Sequence, residues 1–331
     1  MPTAAIIGTG ARAGGRLLSS AEIDARLGKA AGWLQGASGV TSRPVAAQGE
    51  CQESLALDAA RRALADAGTP VEDIDLLLFA SAVGRQPIPA TAALLKRELG
   101  LSSSAFPAFD VNATCLSAVA AMDIAALYIS AGRARNVLIV ASEIATRALP
   151  WQDDPATAAL FGDGAAAFVM SAEAPHSLRV RDVALETWSD GYDFCALPAG
   201  GTRYDFHTDR EAFERNAFFR MDGHALFKLT RAKVPAFITR LLDRAGWKQG
   251  EVDLVIPHQA SPLALEHMIR KCGFSRDQVV STVETTGNLV AASIPMTLDT
   301  ARREGRVRPG SRILLIGTSA GVSIGGATLE A

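Results

Sequence analysis

Two stretches of the chain carry the same punctuation. Residues 64–79 read LADAGTPVEDIDLLLF, and residues 242–256 read LDRAGWKQGEVDLVI. Aligning Ala67-Gly68 with Ala245-Gly246 also aligns Asp75 with Asp253, at an offset of 178. Each copy ends a helix at Ala-Gly, where glycine suits the left-handed stop, then turns and enters an apolar strand. A second pair, NVLIV at 136–140 and RILLI at 312–316, recurs at an offset of 176. Each of these follows a helix-like stretch, 117–132 and 294–305. A repeat at this spacing predicts a duplicated chain, with halves at 1–171 and 172–331. Several strands are uninterrupted apolar runs (76–79, 137–140, 313–316), the pattern of parallel strands covered on both faces. The expected architecture is α/β, two similar halves packed in layers.

Charge and cysteine usage exclude several function classes. Lys plus Arg is 33 against 35 for Asp plus Glu, a net charge of −2, so no nucleic-acid partner is expected. Cys51, Cys115, Cys195 and Cys272 form no CxxC pair, which argues against a disulfide framework and a metal site. No apolar run approaches the ~20 residues of a membrane span. No basic segment followed by an apolar one opens the chain. A cytoplasmic protein without membrane contact is expected.

Several segments could carry chemistry. Gly8-Thr9-Gly10 follows an apolar strand at 4–7 and partly fits a dinucleotide fingerprint. That fingerprint needs a helix to start there, and Gly14-Gly15 and Ser19-Ser20 are poor helix material, so a glycine turn is expected. Cys115 ends FDVNATC, between a strand and an Ala- and Leu-rich helix. A helix N-terminus stabilises a thiolate and lowers the thiol pKa, and its free amides can stabilise an oxyanion. A buried, inert cysteine is the competing reading. His258 follows the apolar strand of VIPHQA, where α/β folds place ligands and catalysts. His176, His207, His224 and His267 sit in polar or helical contexts. Asn288, in GNLVAASIP, precedes a helix and suits a cap or turn. The offset of 176 carries Cys115 to position 291, three residues from Asn288, so the two halves place these residues near equivalent helix starts. Glycine-rich stretches at 161–167 and 317–326 read as a tight turn and as strands in close approach. Neither has the lysine of a phosphate loop.

The order of these motifs resembles the thiolase-fold condensing enzymes, and most of all β-ketoacyl-ACP synthase III. The matching segments are IIGTG at 6–10, FDVNATC at 109–115, FGDGAAA at 161–167, VIPHQA at 255–260, GNLVAASIP at 287–295 and the glycine-rich end at 317–326. The resemblance implies a five-layered αβαβα fold, a homodimer, and a catalytic triad on Cys115, His258 and Asn288. It implies an oxyanion hole from the backbone amides of Cys115 and Ala320. It also implies an acyltransferase that needs no metal or redox cofactor: an acyl thioester loads Cys115, and a malonyl thioester then condenses with loss of CO2. Trp33, Ile88, Gly223 and Ser261 fall at substrate-binding positions. Lys228, Arg270 and Lys271 fall where the family docks acyl carrier protein. Acyl-CoA is the other donor implied.

The sequence departs from the family at informative places. Cys115 is followed by Leu116-Ser117-Ala118 rather than Ala-Gly-Phe. Arginines that contact the CoA nucleotide are replaced by Ala37 and Pro155. An asparagine and an arginine beyond the histidine are replaced by Ser261 and Leu263. These losses weaken nucleotide contacts and favour a carrier-bound acyl donor. Ile88 replaces a phenylalanine that limits acyl length across the dimer, which permits a longer or differently shaped chain. The stretch 81–91 has no Asp or Glu, which counts against head-to-head condensation. An acyltransferase acting on an oxygen or nitrogen nucleophile would keep Cys115 and His258 and is the second reading. A nicotinamide oxidoreductase and a silent carrier-binding scaffold are the remaining ones.

Overall fold

The computed structural model describes residues 4–172, 174 and 177–331, so His176 lies outside the described residues. The main sheet contains β1 (Ala4–Ala13), β2 (Leu76–Ala80), β3 (Ala108–Val111), β4 (Val137–Ile144), β5 (Asp163–Ala172), β6 (Leu178–Thr187), β7 (Leu254–Pro257), β8 (Arg312–Ser319) and β9 (Ser323–Glu330). The helices that position the site are α1 (Gln52–Ala67), α2 (Thr91–Glu98), α3 (Ser117–Ser130), α4 (Gly223–Ala245), α5 (Pro262–Cys272) and α6 (Ser293–Arg303).

The strand order is β3-β2-β4-β5-β1-β6-β9-β8-β7. Outward from the seam between β1 and β6, both arms follow one plan: β1-β5-β4-β2 on one side and β6-β9-β8-β7 on the other. In each arm the two inner pairings are antiparallel and the outer one is parallel. The first arm adds β3, parallel to β2. At the matching place in the second arm, Val279 makes a single parallel bridge to Val255. Two residue pairs, Ala5 with Arg179 and Ile6 with Leu178, join the arms. The apolar runs at 76–79, 137–140 and 313–316 all take part in parallel ladders, as expected of strands covered on both faces.

Five layers result. α1 covers β1, β4 and β5 on one outer face, and α4 with α5 covers the β6–β9 side on the other. Between the arms lie α3 and α6, each touching strands of both. α3 is apolar nearly all round: Ala118, Val119, Ala121, Met122, Ala125 and Ile129 are buried between the arms, while Leu127 stands exposed. α1 and α4 stop at Gly68 (φ 60°) and Gly246 (φ 72°), the left-handed glycines expected from the repeat.

Gly8-Thr9-Gly10 is not a turn. β1 runs straight through it to Ala13, and Arg16–Ser19 is a short strand rather than a helix. The glycines serve packing instead. A Cβ on Gly8 would lie 2.5 Å from the Ala63 carbonyl oxygen, and one on Gly10 would lie 2.4 Å from the Ala63 nitrogen. Together with Ala56, Ala59, Ala60 and Ala63 on its buried stripe, they let α1 press its backbone onto β1. The helix start that a dinucleotide would need is absent at this strand end, so the nicotinamide reading loses its basis.

Candidate active site

The layers bring two equivalent turns to the middle of the molecule. β3 leads through a 3-10 turn, Thr114–Leu116, into α3. A matching turn, Val290–Ala292, leads into α6. Among the described residues, Thr114 and Val290 are the non-glycine positions with positive φ, and both stand at 51°. Asn112 Oδ1 accepts the Thr114 amide at 2.9 Å, and Asn288 Oδ1 accepts the Val290 amide at 2.8 Å. Ser117 Oγ accepts the Ala113 amide at 2.9 Å, and Ser293 Oγ accepts the Leu289 amide at 3.1 Å. Each of these pairs has the offset of 176. The counterpart of Cys115 is therefore Ala291, and the counterpart of Asn288 is Asn112.

His258 stands just beyond β7, its amide donating to the Ile316 carbonyl at 2.8 Å. Gly317 makes room for it. A Cβ there would sit 2.8 Å from His258 Cβ and 3.1 Å from Leu116 Cδ2. The histidine and the residue next to Cys115 thus close over one glycine. Asn288 is pinned by the 161–164 turn: its amide donates to the Leu160 carbonyl at 2.6 Å, and its carbonyl accepts from the Gly162 amide at 3.1 Å. Asp163 anchors that turn, its carboxylate accepting from the amides of Ala46 and Thr146 and from the Thr146 hydroxyl. Ala320 lies at the Cys115 turn too, its carbonyl accepting from the Thr114 hydroxyl at 3.4 Å.

Burial sets the electrostatics. The Cys115 thiol is pushed up to about 12, first by desolvation and then by the negative charges that Glu143 and Cys195 can carry. Desolvation opposes the thiolate that a helix start favours, although Cys115 is only half-buried by surface exposure. Desolvation lowers His258 to about 4, and its buried Nδ1 has no hydrogen-bond partner among the described residues. At neutral pH the pair is therefore an uncharged thiol and an uncharged imidazole. Among the described residues no group of three His, Cys, Asp or Glu side chains could hold a metal ion, and no helix is long and apolar enough to cross a membrane.

The other expected residues scatter around this centre. Gly223 begins α4, behind the Asp222 cap and two residues past Met221, which pairs with Cys195. Ser261 caps α5, accepting the Ala264 amide, and is spent on the helix. Trp33 is partly exposed with Lys29 Nζ 5.0 Å from its ring. Ile88 is 85% exposed, with Val83 exposed beside it. Lys228, Arg270 and Lys271 are exposed on α4 and α5, which meet where Phe227 stacks edge-on against His267.

Three functional neighbours escaped sequence reading. Glu143 interrupts an apolar strand, a signal that was there to be read. Cys195 lies close enough to Cys115 to raise its pKa, which no spacing indicates. Arg231 joins Arg270 and Lys271 in lowering the His267 pKa, so it belongs to the same basic face.

Comparison with known proteins fits this geometry. Residues 109–189 match the family model for 3-oxoacyl-[acyl-carrier-protein] synthase III, and residues 242–331 match the model for its C-terminal part. A β-ketoacyl-[acyl-carrier-protein] synthase III of Bordetella petrii is 35% identical, covering 98% of this chain and 97% of its own. One from Neisseria gonorrhoeae is 32% identical over the whole of both chains. The crystal structure of 3-oxoacyl-(acyl carrier protein) synthase III from Pseudomonas aeruginosa superposes with a TM-score of 0.88 at 31% identity, covering 99% of this chain and 98% of that one. The fold is thus that of the thiolase-like condensing enzymes, and the chain belongs to the β-ketoacyl-[acyl-carrier-protein] synthase III family.

Proposed function

We propose that this acyltransferase performs a decarboxylative Claisen condensation centred on Cys115, His258 and Asn288. What supports it is that His258 and the residue after Cys115 close over Gly317, and that the Cys115 turn packs against the matching turn that follows Asn288. Cys115 Sγ attacks an acyl thioester carbonyl, and its proton passes by way of His258 to the departing thiol. The amides of Cys115 and Ala320 receive the oxyanion. A malonyl thioester then loses CO2, and the electron pair of the broken bond forms an enolate. Neutral His258 and Asn288 both donate to the enolate oxygen. The α-carbon attacks the acyl carbonyl, the carbon–sulfur bond to Cys115 breaks, a β-ketoacyl thioester leaves, and the Cys115 sulfur takes up a proton from water to restore the thiol. Retention of Asn288 favours condensation over transfer to an oxygen or nitrogen acceptor, because only the enolate needs two donors.

The basic face of α4 and α5, with Lys228, Arg231, Arg270 and Lys271, supports docking of an acidic acyl carrier protein. Ala37 and Pro155, in place of arginines, support a carrier-bound donor over acyl-CoA. The exposed Ile88 and Val83 support a homodimer that covers them, with Ile88 beside the partner's acyl site. Trp33 and Gly223 are read as substrate-binding residues on the strength of the resemblance. Residues 1–171 and 172–331 are read as duplicated halves, on the strength of the shared strand order. No cofactor takes part in this scheme, and it suits the cytoplasm.

The test is intact-protein mass after mixing with acyl-CoA and acyl-carrier thioesters, then after adding malonyl-carrier protein. The expected result is one acyl adduct, absent in Cys115→Ala, that malonyl discharges as a β-ketoacyl product. An adduct that malonyl leaves untouched would overturn condensation.

A further inference from the structure

Glu143 lies near the end of β4 and is 3% exposed. The steps proposed above do not use it. Its Oε1 accepts the Ala82 amide at 2.6 Å. The Ser81 hydroxyl and the amides of Ala291 and Val83 also face the carboxyl. The Ala82 carbonyl in turn accepts from Asn112 Nδ2 at 2.9 Å, and Asn112 Oδ1 holds the Thr114 amide. Hydrogen bonds therefore run from the Cys115 turn, through Asn112 and Ala82, to Glu143, and β4 packs against the Val290–Ala292 turn, where the Ala291 amide faces the carboxyl. Burying a carboxyl is costly. An apolar residue there would strand the amides that converge on it.

We propose that Glu143 is a positioning residue for the condensation, holding the Cys115 turn and the Asn288 turn in register through Asn112 and Ala82 on one side and Ala291 on the other. This rests on the functional reading above. The acyl carbonyl is carried by one turn and the enolate oxygen is gripped from the other. Their reacting atoms must meet within roughly 3–3.5 Å, and a slip of about 1 Å costs on the order of a hundredfold in rate. The carboxyl has a second effect above about pH 8, where its charge opposes a thiolate on Cys115. The titratable groups facing it come from the turn before α3: Cys115, with Cys195 beyond. The end of β2, the turn before α6 and β5 present the Ser81 hydroxyl, amides and Gly164.

Glu143→Gln tests this in the full-length protein. Glutamine keeps the shape, removes the charge and turns an amino group toward donors. Condensation is measured alongside alkylation of Cys115 by iodoacetamide at about pH 9, where the thiolate fraction controls the rate. The expected result is a fall in kcat of about tenfold or more with KM for the malonyl thioester unchanged, while alkylation becomes faster. Unchanged condensation, or alkylation that slows together with kcat, would overturn the proposal. If the glutamine variant does not fold, Asn112→Ala breaks the same run of hydrogen bonds at its exposed end. It should lower kcat without moving KM, and an unchanged kcat would overturn the proposal. Wild-type condensation, run in parallel, separates failure of the functional reading from failure of this one.

Discussion

Asn112 and Asn288 make the same turn at opposite ends of the duplication, each Oδ1 accepting the amide two residues on, at 2.9 and 2.8 Å. Their fates differ. Asn112 is exposed and gives its Nδ2 to the Ala82 carbonyl, while Asn288 is buried against the 161–164 turn. One copy of the turn carries the thiol, with alanine in that place in the other copy. In the proposed reading the second copy instead contributes its asparagine.

Asn288→Asp separates the two duties of that side chain. Aspartate keeps the acceptor for the Val290 amide, so the turn holds. It loses the donor and places a carboxyl where the enolate develops. Acyl-Cys115 formation should persist within a few-fold, while malonyl decarboxylation falls by about 10²–10³-fold. Rapid-quench mass spectrometry of the first step and CO2 release in the second would check this. Equal loss in both steps would mean that Asn288 only shapes the turn.

The basic face gives a prediction about donors. Arg270→Glu with Lys271→Glu should raise KM for malonyl-carrier protein by about tenfold at low salt and leave KM for malonyl-CoA unchanged. The effect should shrink as salt screens the exposed charges. Steady-state kinetics with the two donors at two ionic strengths reads it directly. Parallel changes for both donors would exclude carrier docking at α4 and α5.

Gly10 should be intolerant for a packing reason. Gly10→Ala sets a methyl against the backbone of α1, at Ala63 and Ala59, and neither can yield. A cost of about 3 kcal/mol is expected, near the top of the overpacking range. Gly36→Ala is the control, since a Cβ there meets nothing within 4 Å. It lies in a short helix, Trp33–Ser38, and should gain up to about 1 kcal/mol. Chemical denaturation of the two variants is the measurement.

Two buried groups give stability opposite slopes with pH. The folded pKa of His258 is about 4 against 6.5 unfolded, so the unfolded chain binds the extra proton between those values. Its contribution, roughly 3 kcal/mol, is present above pH 6.5 and lost as pH falls toward 4. The folded pKa of Glu143 is about 8 against 4.5 unfolded. Its contribution is full below 4.5 and is lost as pH rises through 8. Thermal melts across this range should show the acid-side fall relieved in His258→Asn and the alkaline-side fall relieved in Glu143→Gln. Superimposable curves for wild type and both variants would refute the assignment.

The sequence alone made the repeated segments, the α/β character and the order of motifs legible, because helix stops and apolar strands are local patterns that recur. It also brought Cys115, His258 and Asn288 forward, since each follows a strand or precedes a helix. Tertiary structure decided what these side chains are electrically. The pKa of Cys115 follows from the protein packed around it and from Glu143 on β4, neither of which the local sequence shows. It decided, too, that Gly8 and Gly10 face a helix rather than make a turn, because the partner that needs their missing side chains begins some forty residues later, at Gln52. The link from Asn112 to Ala291 is equally beyond local reading, because its members are far apart along the chain and meet only when the layers close.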